Sequence, residues 1–277
     1  MGNIKTLLIY VLLFVSLNSL SAQTLNLQTI PSDKMQFGFS FNKEFYSNNS
    51  LNMSTLSGVY QLNFSIPISS KLNIIGDIPY VITNYEINFG YFGSSRYSEN
   101  GFGNIFIGLQ KNPGLMENKF IFTFGVYLPT ASEDASFYGL NADGYFFLKY
   151  VPNSISLYSN FAYHKINVEG INYGLEIGPD FLIPTKKGNP KSEFYIHYGL
   201  IGGYQINRLL INFEFLGYGI LSEEVKNFGD RFLNMFNIGA QWKENNVTPR
   251  IFYKLYLKDV VSDYINGVLG IGITVSI

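Results

Sequence analysis

The chain has 277 residues, of which 17% are aromatic and 14% charged, whereas a typical soluble domain carries about 25% charged residues. Its formal net charge of −1 leaves no basic surplus to meet phosphates, which excludes nucleic acid as a partner. The absence of cysteine excludes disulfides, thiolate metal sites and a lipid anchor on cysteine. Beyond the N-terminus no apolar run reaches the roughly 20 residues of a spanning helix, so we do not expect a helical membrane protein.

The N-terminus has the pattern of a secretory signal peptide. Lys5 precedes the apolar run 7–15, and small residues follow at 19–22. Polar Asn18 argues against an uncleaved anchor helix. We predict cleavage after Ser21 or Ala22, which gives a signal peptide over 1–22 and a mature domain over 23–277.

The mature chain is predicted to be a succession of β-strands, because apolar and polar residues alternate with period 2. In the first strand Phe37, Phe39 and Phe41 share one face, and Ser40 lies on the other. Pro79 interrupts the third run and predicts a bulge or a barrel rim there, since proline cannot donate to a ladder. We interpret as strands the runs 36–45, 56–66, 72–82, 102–110, 120–128, 140–150, 155–166, 194–206, 209–221, 232–243, 250–258 and 265–277.

The last run indicates how the sheet ends. Leu269, Ile271, Ile273, Val275 and Ile277 alternate with small or polar residues up to the final position. A strand there needs partners on both edges, or it becomes a template for aggregation. In a closed barrel its partners are the preceding strand and the first one, with the apolar face towards lipid.

The run 250–258 bears on what the two faces meet. Ile251 and Leu255 belong to an apolar row, whereas Arg250, Lys254 and Lys258 belong to the opposite row. Three cations cannot lie in a dry sandwich core, where an unpaired charge is very costly. They would face solvent in a soluble sandwich or the lumen in a membrane barrel. The signal peptide, the aromatic excess and the number of such strands favour the barrel.

The connections set the strand count. Short turns at 67–71, 151–154, 207–208 and 244–247 fall on one side, and longer loops at 86–101, 130–136, 222–231 and 259–263 fall on the other. The alternation closes with an even number only if 165–191, which holds the broken run Ile171–Ile183, is one excursion on the loop side. The predicted fold is therefore an all-β, transmembrane, antiparallel up-and-down barrel of 12 strands, with 14 as the alternative.

Two motifs carry a resemblance to a known family. Gly101-Phe-Gly-Asn-Ile-Phe-Ile-Gly-Leu-Gln110 and Phe124-Gly-Val-Tyr-Leu-Pro-Thr130 resemble the outer-membrane transporters assigned to the MetA pathway of phenol degradation. That family has aspartate where this chain has Asn104, and glycine where it has Ala131. The final residue is Ile277, where outer-membrane barrels often end in an aromatic. The resemblance implies an outer-membrane barrel of a Gram-negative bacterium that passes small molecules, apolar ones included.

Strand parity places one polar set on the predicted lumenal face. Opposite charges there would pair across the lumen as a network that stiffens the barrel in the manner of a plug, or would select what passes. The candidate lumen-lining residues are Asp77, His197, Glu214, Arg250, Lys254 and Lys258. No cofactor and no metal site are predicted. His164 and His197 are the only histidines and no nucleophile motif accompanies them, so we do not expect an enzyme.

Three functions are considered. The first is an outer-membrane channel or transporter for small molecules, and the second is a closed structural or interaction barrel whose outer loops bind a partner. The third is a membrane-embedded hydrolase, which would need a nucleophile beside a histidine. The expected partners are outer-membrane lipid, the outer-membrane assembly machinery through the C-terminal strand, and a small solute.

Overall fold

The computed structural model describes residues 34–47, 51–88, 91, 94–111, 118–165, 167, 169–186, 191–222, 231–257 and 259–277. The predicted signal peptide lies outside the described residues. The strands are β1 Gln36–Tyr46, β2 Leu51–Met53, β3 Gly58–Ser69, β4 Leu72–Asn88, β5 Ser94–Phe102, β6 Phe106–Lys111, β7 Asn118–Tyr127, β8 Ser154–Lys165, β9 Gly170–Pro184, β10 Glu193–Ile206, β11 Leu209–Ile220, β12 Phe232–Trp242, β13 Val247–Tyr256 and β14 Ile265–Ser276. The helices are α1 Glu133–Ala142, a 3-10 helix Gly144–Tyr150 and α2 Asp259–Ser262.

The sheet closes on itself. The last strand, β14, pairs antiparallel with β13 on one side and with β1 on the other, with Phe41 opposite Ile271 across the seam. Strands β5 and β6 share one place beside β4, and β2 adds a short extra strand beside the end of β4. The wall therefore has 12 strand positions, which confirms the predicted antiparallel barrel and its strand count.

The wall has an apolar outer face and a polar inner face. Phe37 and Ile271 point outwards and are 44% and 49% exposed, whereas Gln36, Ser40 and Glu44, on the alternate face of β1, are at most 2% exposed. A closed barrel with oily rows on the outside is the arrangement that a lipid bilayer favours. In the part of the chain that the structure describes, no helix is long and apolar enough to cross a membrane.

The two ends of the barrel differ. The short-turn end carries the connections 70–71, 207–208 and 243–246, and Ile277 lies there with its N–H bonded to the Met35 carbonyl. The loop end carries longer connections, namely 128–153, 185–192, 221–231 and 257–264. The end of the barrel predicted for each connection is confirmed, except for 151–154. That stretch is not a short turn, because it returns the chain at the loop end from a long inward excursion.

The predicted strand 140–150 is wrong. Its residues form the end of α1 and the 3-10 helix, which together fold into the lumen. Ser132 caps α1 by accepting a hydrogen bond from the Ala135 N–H. Inside a barrel a segment meets protein on every side, so Tyr145 and Tyr150 are both buried and the aromatic residues need no helical periodicity. An apolar run without helical period was therefore mistaken for a strand.

The predicted loop-side excursion over 165–191 is also wrong, because β9 lies there as a strand of the barrel wall, paired with β8 and β10. Pro179 lies inside β9, but the β8–β9 ladder passes from Tyr158↔Asp180 directly to Phe161↔Ile177. The missing N–H of Pro179 thus falls where the ladder is interrupted, and its carbonyl accepts a hydrogen bond from the Ser159 hydroxyl at 2.8 Å. The two errors compensate, which is why the count of 12 holds.

The outward orientation of every second side chain in β14 leads to a prediction about stability. Ile271→Arg, near the middle of the strand, is expected to cost about 2–4 kcal/mol, because it places a cation in hydrocarbon. The matched variant Ile277→Arg, at the strand end, is expected to cost at most about 1 kcal/mol. Urea titrations of unfolding in liposomes give both values. Equal costs at the two positions would contradict the outward assignment.

Candidate functional site: the plugged lumen

The inward segment, residues 133–150, is called the plug, and the chain that leads into it runs beside a break in the ladders of β4. β4 pairs with β6 up to Asp77↔Phe106 and with β5 from Tyr80↔Phe102, so residues 103–105 lie between the two ladders. The Pro79 carbonyl accepts a hydrogen bond from the Gly103 N–H at 2.9 Å. Because N–H and C=O of one strand residue point to the same side, the missing donor of Pro79 faces this break. The bulge or rim predicted at Pro79 is wrong on the β3 side, where the ladder runs through Pro79 in register, but on its other side β4 changes partner from β6 to β5 at this residue.

The two resembling motifs meet at this break. The Thr130 hydroxyl donates to the Gly103 carbonyl at 2.8 Å and accepts from the Ile105 N–H at 2.9 Å. A Cβ on Gly103 would lie 2.5 Å from the Lys149 carbonyl oxygen, so only glycine allows this approach of the plug. The motifs are structural, and together they fasten both roots of the inward segment to the wall.

The side chain of Asn104 holds the end of the plug. Its amide nitrogen donates to the carbonyls of Leu148 and Val151 at 2.9 and 2.7 Å, and its amide oxygen accepts from the Ala131 N–H at 2.9 Å. Asn104 is fully buried. One side chain thus satisfies the end of the 3-10 helix and the segment that leads into α1.

A buried ionic cluster holds the middle of the plug. Asp143 accepts from Lys254 of β13 at 2.8 Å and from Gln61 of β3 at 2.6 Å, and it lies 3.5 Å from Lys149. Lys149 in turn reaches Asp77 of β4 at 2.5 Å. The carboxylate of Asp143 is therefore tied by charge-assisted hydrogen bonds to β3 and β13, which lie three positions apart on the same side of the wall.

These contacts set the ionisation of two plug groups. Burial opposes the charge on Asp143, but the ammonium groups of Lys254 and Lys149 more than offset it, and the pKa of the carboxyl lies below its ordinary value. Burial likewise disfavours the charge on Lys149, yet Asp77 and Asp143 raise the pKa of that ammonium above its ordinary value. Both groups are charged at neutral pH.

The depressed pKa predicts how docking depends on acidity. A carboxyl whose pKa is lowered in the docked state contributes stability at neutral pH and loses it only as the pH falls through that lowered value. We therefore expect the plug to stay docked down to about pH 4, near the ordinary pKa of 3.8. Hydrogen exchange of amides 135–150, corrected for the intrinsic rate, measures this. Release between pH 7 and pH 5 would show that Asp143 does not control docking.

A second contact joins the plug to the opposite wall. The Tyr145 hydroxyl donates to Glu176 of β9 at 2.7 Å, and Glu176 also accepts from the Asn160 amide at 3.0 Å. His197 lies beside them, with Nδ1 at 2.8 Å from Asp180 and Nε2 at 3.3 Å from the Asn160 amide oxygen. All of these side chains are buried, so this polar cluster is fully enclosed between plug and wall.

The plug separates two cavities. One, of about 100 Å³, lies towards the short-turn end and is bounded by Asp143 and Phe146 of the plug and by polar wall residues that include Gln36. The other, of about 360 Å³, lies towards the loop end and is bounded by Gly144 and Phe147 of the plug. Its wall is largely apolar and aromatic: Leu140, Tyr195, Tyr218, Ile220, Phe232, Leu233, Tyr256 and Val261. Residues 143–147 are thus the partition between them.

The structure distributes the sequence-predicted residues over four places. Asp77 and Lys254 lie in the ionic cluster, and His197 lies in the polar cluster. Glu214 lies on the wall, where it accepts from the Asn237 amide at 2.8 Å, and Arg250 lines the smaller cavity. Lys258 lies outside the described residues.

The sequence reasoning missed the partners that these residues meet. Asp143, Lys149 and Tyr145 were hidden in the mistaken strand 140–150. Glu176 and Asp180 were hidden in the mistaken excursion, although their spacing of four along β9 places both on the lumenal face. In the ranges that the structure describes, no group of three or more acidic or histidine side chains could hold a metal ion.

The comparisons with known proteins concern the fold. No family model and no curated protein matches the chain. An outer membrane channel from Pseudomonas putida F1 is similar over 92% of this chain and 100% of its own, with a TM-score of 0.63 and 12% identity. The chain is an outer-membrane β-barrel. Its closed wall and oily outer face place it in the outer membrane of a Gram-negative bacterium.

Other solved barrels are more distant. The KdgM porin covers 87% of this chain and 99% of its own, with a TM-score of 0.41 and 8% identity. The translocator domain of the autotransporter NalP from Neisseria meningitidis covers 88% and 89%, with a TM-score of 0.46 and 9% identity. Neither carries an argument about this chain. The resemblance to the MetA-pathway transporters stays a prediction.

Proposed function

We propose that the protein is a gated outer-membrane channel for small molecules, apolar ones included, and that the plug is its gate. The observation that carries the proposal is the partition: cavities lie on both sides of residues 143–147, and side-chain contacts hold this segment in place. A barrel filled only for rigidity would not need an apolar chamber of about 360 Å³ on the outer side of its plug.

The way the plug is attached supports movement. Its ion pairs and the Gln61 hydrogen bond converge on Asp143 and Lys149, so a small displacement of Asp143 breaks several contacts together. Both roots are fastened independently by Asn104 and Thr130, which leaves the middle of the segment as the part that moves. Buried ion pairs contribute little net stability, because desolvation offsets attraction, and they are well suited to a switch between two states.

A plug deletion tests the channel. In it a short Gly-Ser linker replaces residues 132–151, and the matched control shortens the 221–231 connection and keeps the plug. We expect wild type to pass small solutes in brief openings, and the deletion to raise conductance in planar bilayers and swelling rates of liposomes several-fold. If neither wild type nor the deletion passes solutes above empty liposomes, the closed interaction barrel is the correct function.

We further propose that the protein is not an enzyme. The hydrolase hypothesis needs a nucleophile at a ring nitrogen of histidine. In His197 both ring nitrogens already face other groups, Asp180 and Asn160, and the ring stacks on Tyr158 with centroids 4.8 Å apart. A lipid-hydrolysing activity that disappears in His197→Ala, while barrel folding is retained, would overturn this.

A further inference from the structure

The smaller cavity contains a cation without an ionic partner. Arg250 of β13 lines it, and its buried Nε has no hydrogen-bond partner. No carboxylate among the residues that the structure describes lies within 4.0 Å of the guanidinium, although Glu214 and Asp77 attract it from farther away. Lys149 and Lys254, by contrast, are both engaged by carboxylates.

The residues around Arg250 leave its guanidinium free to bind a ligand. Arg250 lies opposite Gly272 of β14, and a Cβ on that glycine would come within 2.8 Å of Nε. The absence of a side chain there makes room for the arginine against the wall. A half-buried guanidinium presents a planar fork of donors that matches a carboxylate.

Three kinds of group line the rest of the cavity. Hydroxyl and amide groups line the side near Arg250, among them Ser40 and Thr274 of the adjoining strands β1 and β14. The carboxylates Asp77 and Asp143 line it too, and they are paired with Lys149 and Lys254, so that Arg250 is the charge left over. The third side is apolar, and its residues come from β4, β6, β7, the plug and β13: Ile75, Phe106, Tyr127, Phe146 and Phe252. A volume of about 100 Å³ admits only a small molecule. The cavity therefore fits a short apolar body that carries one hydrogen-bonding anionic group.

The loop-end cavity has a related composition. Its lining is largely aromatic and aliphatic, and Arg231 is the one residue with a formal charge at neutral pH among the described residues that line it. A carboxylate with an apolar body would thus meet an apolar surface with a cation on either side of the plug. A cationic amine of the same shape would be disfavoured in both.

We propose that the channel takes short-chain monocarboxylates, and that Arg250 binds their carboxylate in the smaller cavity. The role as a transported solute rests on the proposed channel function, but the binding does not. Arg250 is then a specificity-determining residue: it distinguishes the anion from neutral and cationic analogues of equal size.

The test measures binding and passage separately on the full chain in detergent and in liposomes. Butyrate is the probe, and butyramide and butylamine are its neutral and cationic counterparts. We expect butyrate to bind wild type, Arg250→Gln to weaken it at least tenfold, and Arg250→Lys, which keeps the charge and loses the fork, to weaken it less. The control Arg208→Gln, in an exposed pair with Glu244, is expected to leave butyrate affinity unchanged.

The outcomes separate the two proposals. Binding that depends on Arg250 but without passage of any solute would support the anion site and overturn the channel. Passage of neutral solutes, with butyrate affinity that is absent in wild type or unchanged in Arg250→Gln, would support the channel and overturn the anion site. Heat-modifiable migration in gels shows that each variant is folded, and Arg250→Lys covers the case in which Arg250→Gln fails to fold.

Discussion

Asp143→Ala is expected to release the plug, with a loss of about 3–5 kcal/mol of docking free energy, because it leaves the buried ammonium group of Lys254 without its carboxylate. Lys254 loses its carboxylate partner at 2.8 Å, whereas Lys149 keeps Asp77. A loss of that size raises the undocked population roughly 100-fold or more.

The absence of native cysteine provides the measurement. Ala142, fully buried between plug and wall, is replaced by cysteine, and the rate of its modification by a small thiol reagent reports undocking. The matched control is Glu133→Ala, which removes an exposed pair with Lys186 at 4.0 Å and is expected to change docking by less than about 1 kcal/mol. Adding Lys254→Met to Asp143→Ala is expected to recover part of the loss. A rate in Asp143→Ala no higher than in Glu133→Ala would show that the ionic cluster does not hold the plug.

The sequence was sufficient for the wall of the barrel because lipid imposes a simple rule on it. Every second residue of a spanning strand faces hydrocarbon, so rows such as that of Phe37 and Phe39 are apolar regardless of what lies inside. Pairing of β14 with β1 follows from the same rule, since a terminal strand with this alternation needs two partners. For the same reason the lumenal position of Lys254 could be predicted from the alternation of its neighbours in β13.

The plug could not be predicted in the same way, because its buried residues, such as Tyr145 and Tyr150, contact protein and not lipid. A helix in that environment needs no apolar stripe, and a polar residue there needs only one partner that is remote in the chain. Asp143 has the appearance of a turn residue before Gly144, and only the fold shows that Lys254, 111 positions later, is its partner. Pro179 was misleading because a ladder interruption, which depends on β8, accommodates it.

Asn104→Asp is expected to destabilise the root of the plug by roughly 2–6 kcal/mol, since the carbonyls of Leu148 and Val151 each lose a buried donor. The substituted carboxylate can still accept from the Ala131 N–H but faces two carbonyl oxygens at hydrogen-bond distance. The chain therefore requires an amide where the resembling family has aspartate, because the contact is a donor contact. The control Asn100→Asp, whose side chain accepts from the Tyr80 hydroxyl at 3.0 Å on an exposed strand, keeps its bond and is expected to be near neutral. Thermal unfolding and Ala142→Cys reactivity measure both variants, and equal effects of the two substitutions would show that Asn104 is not a donor to the plug.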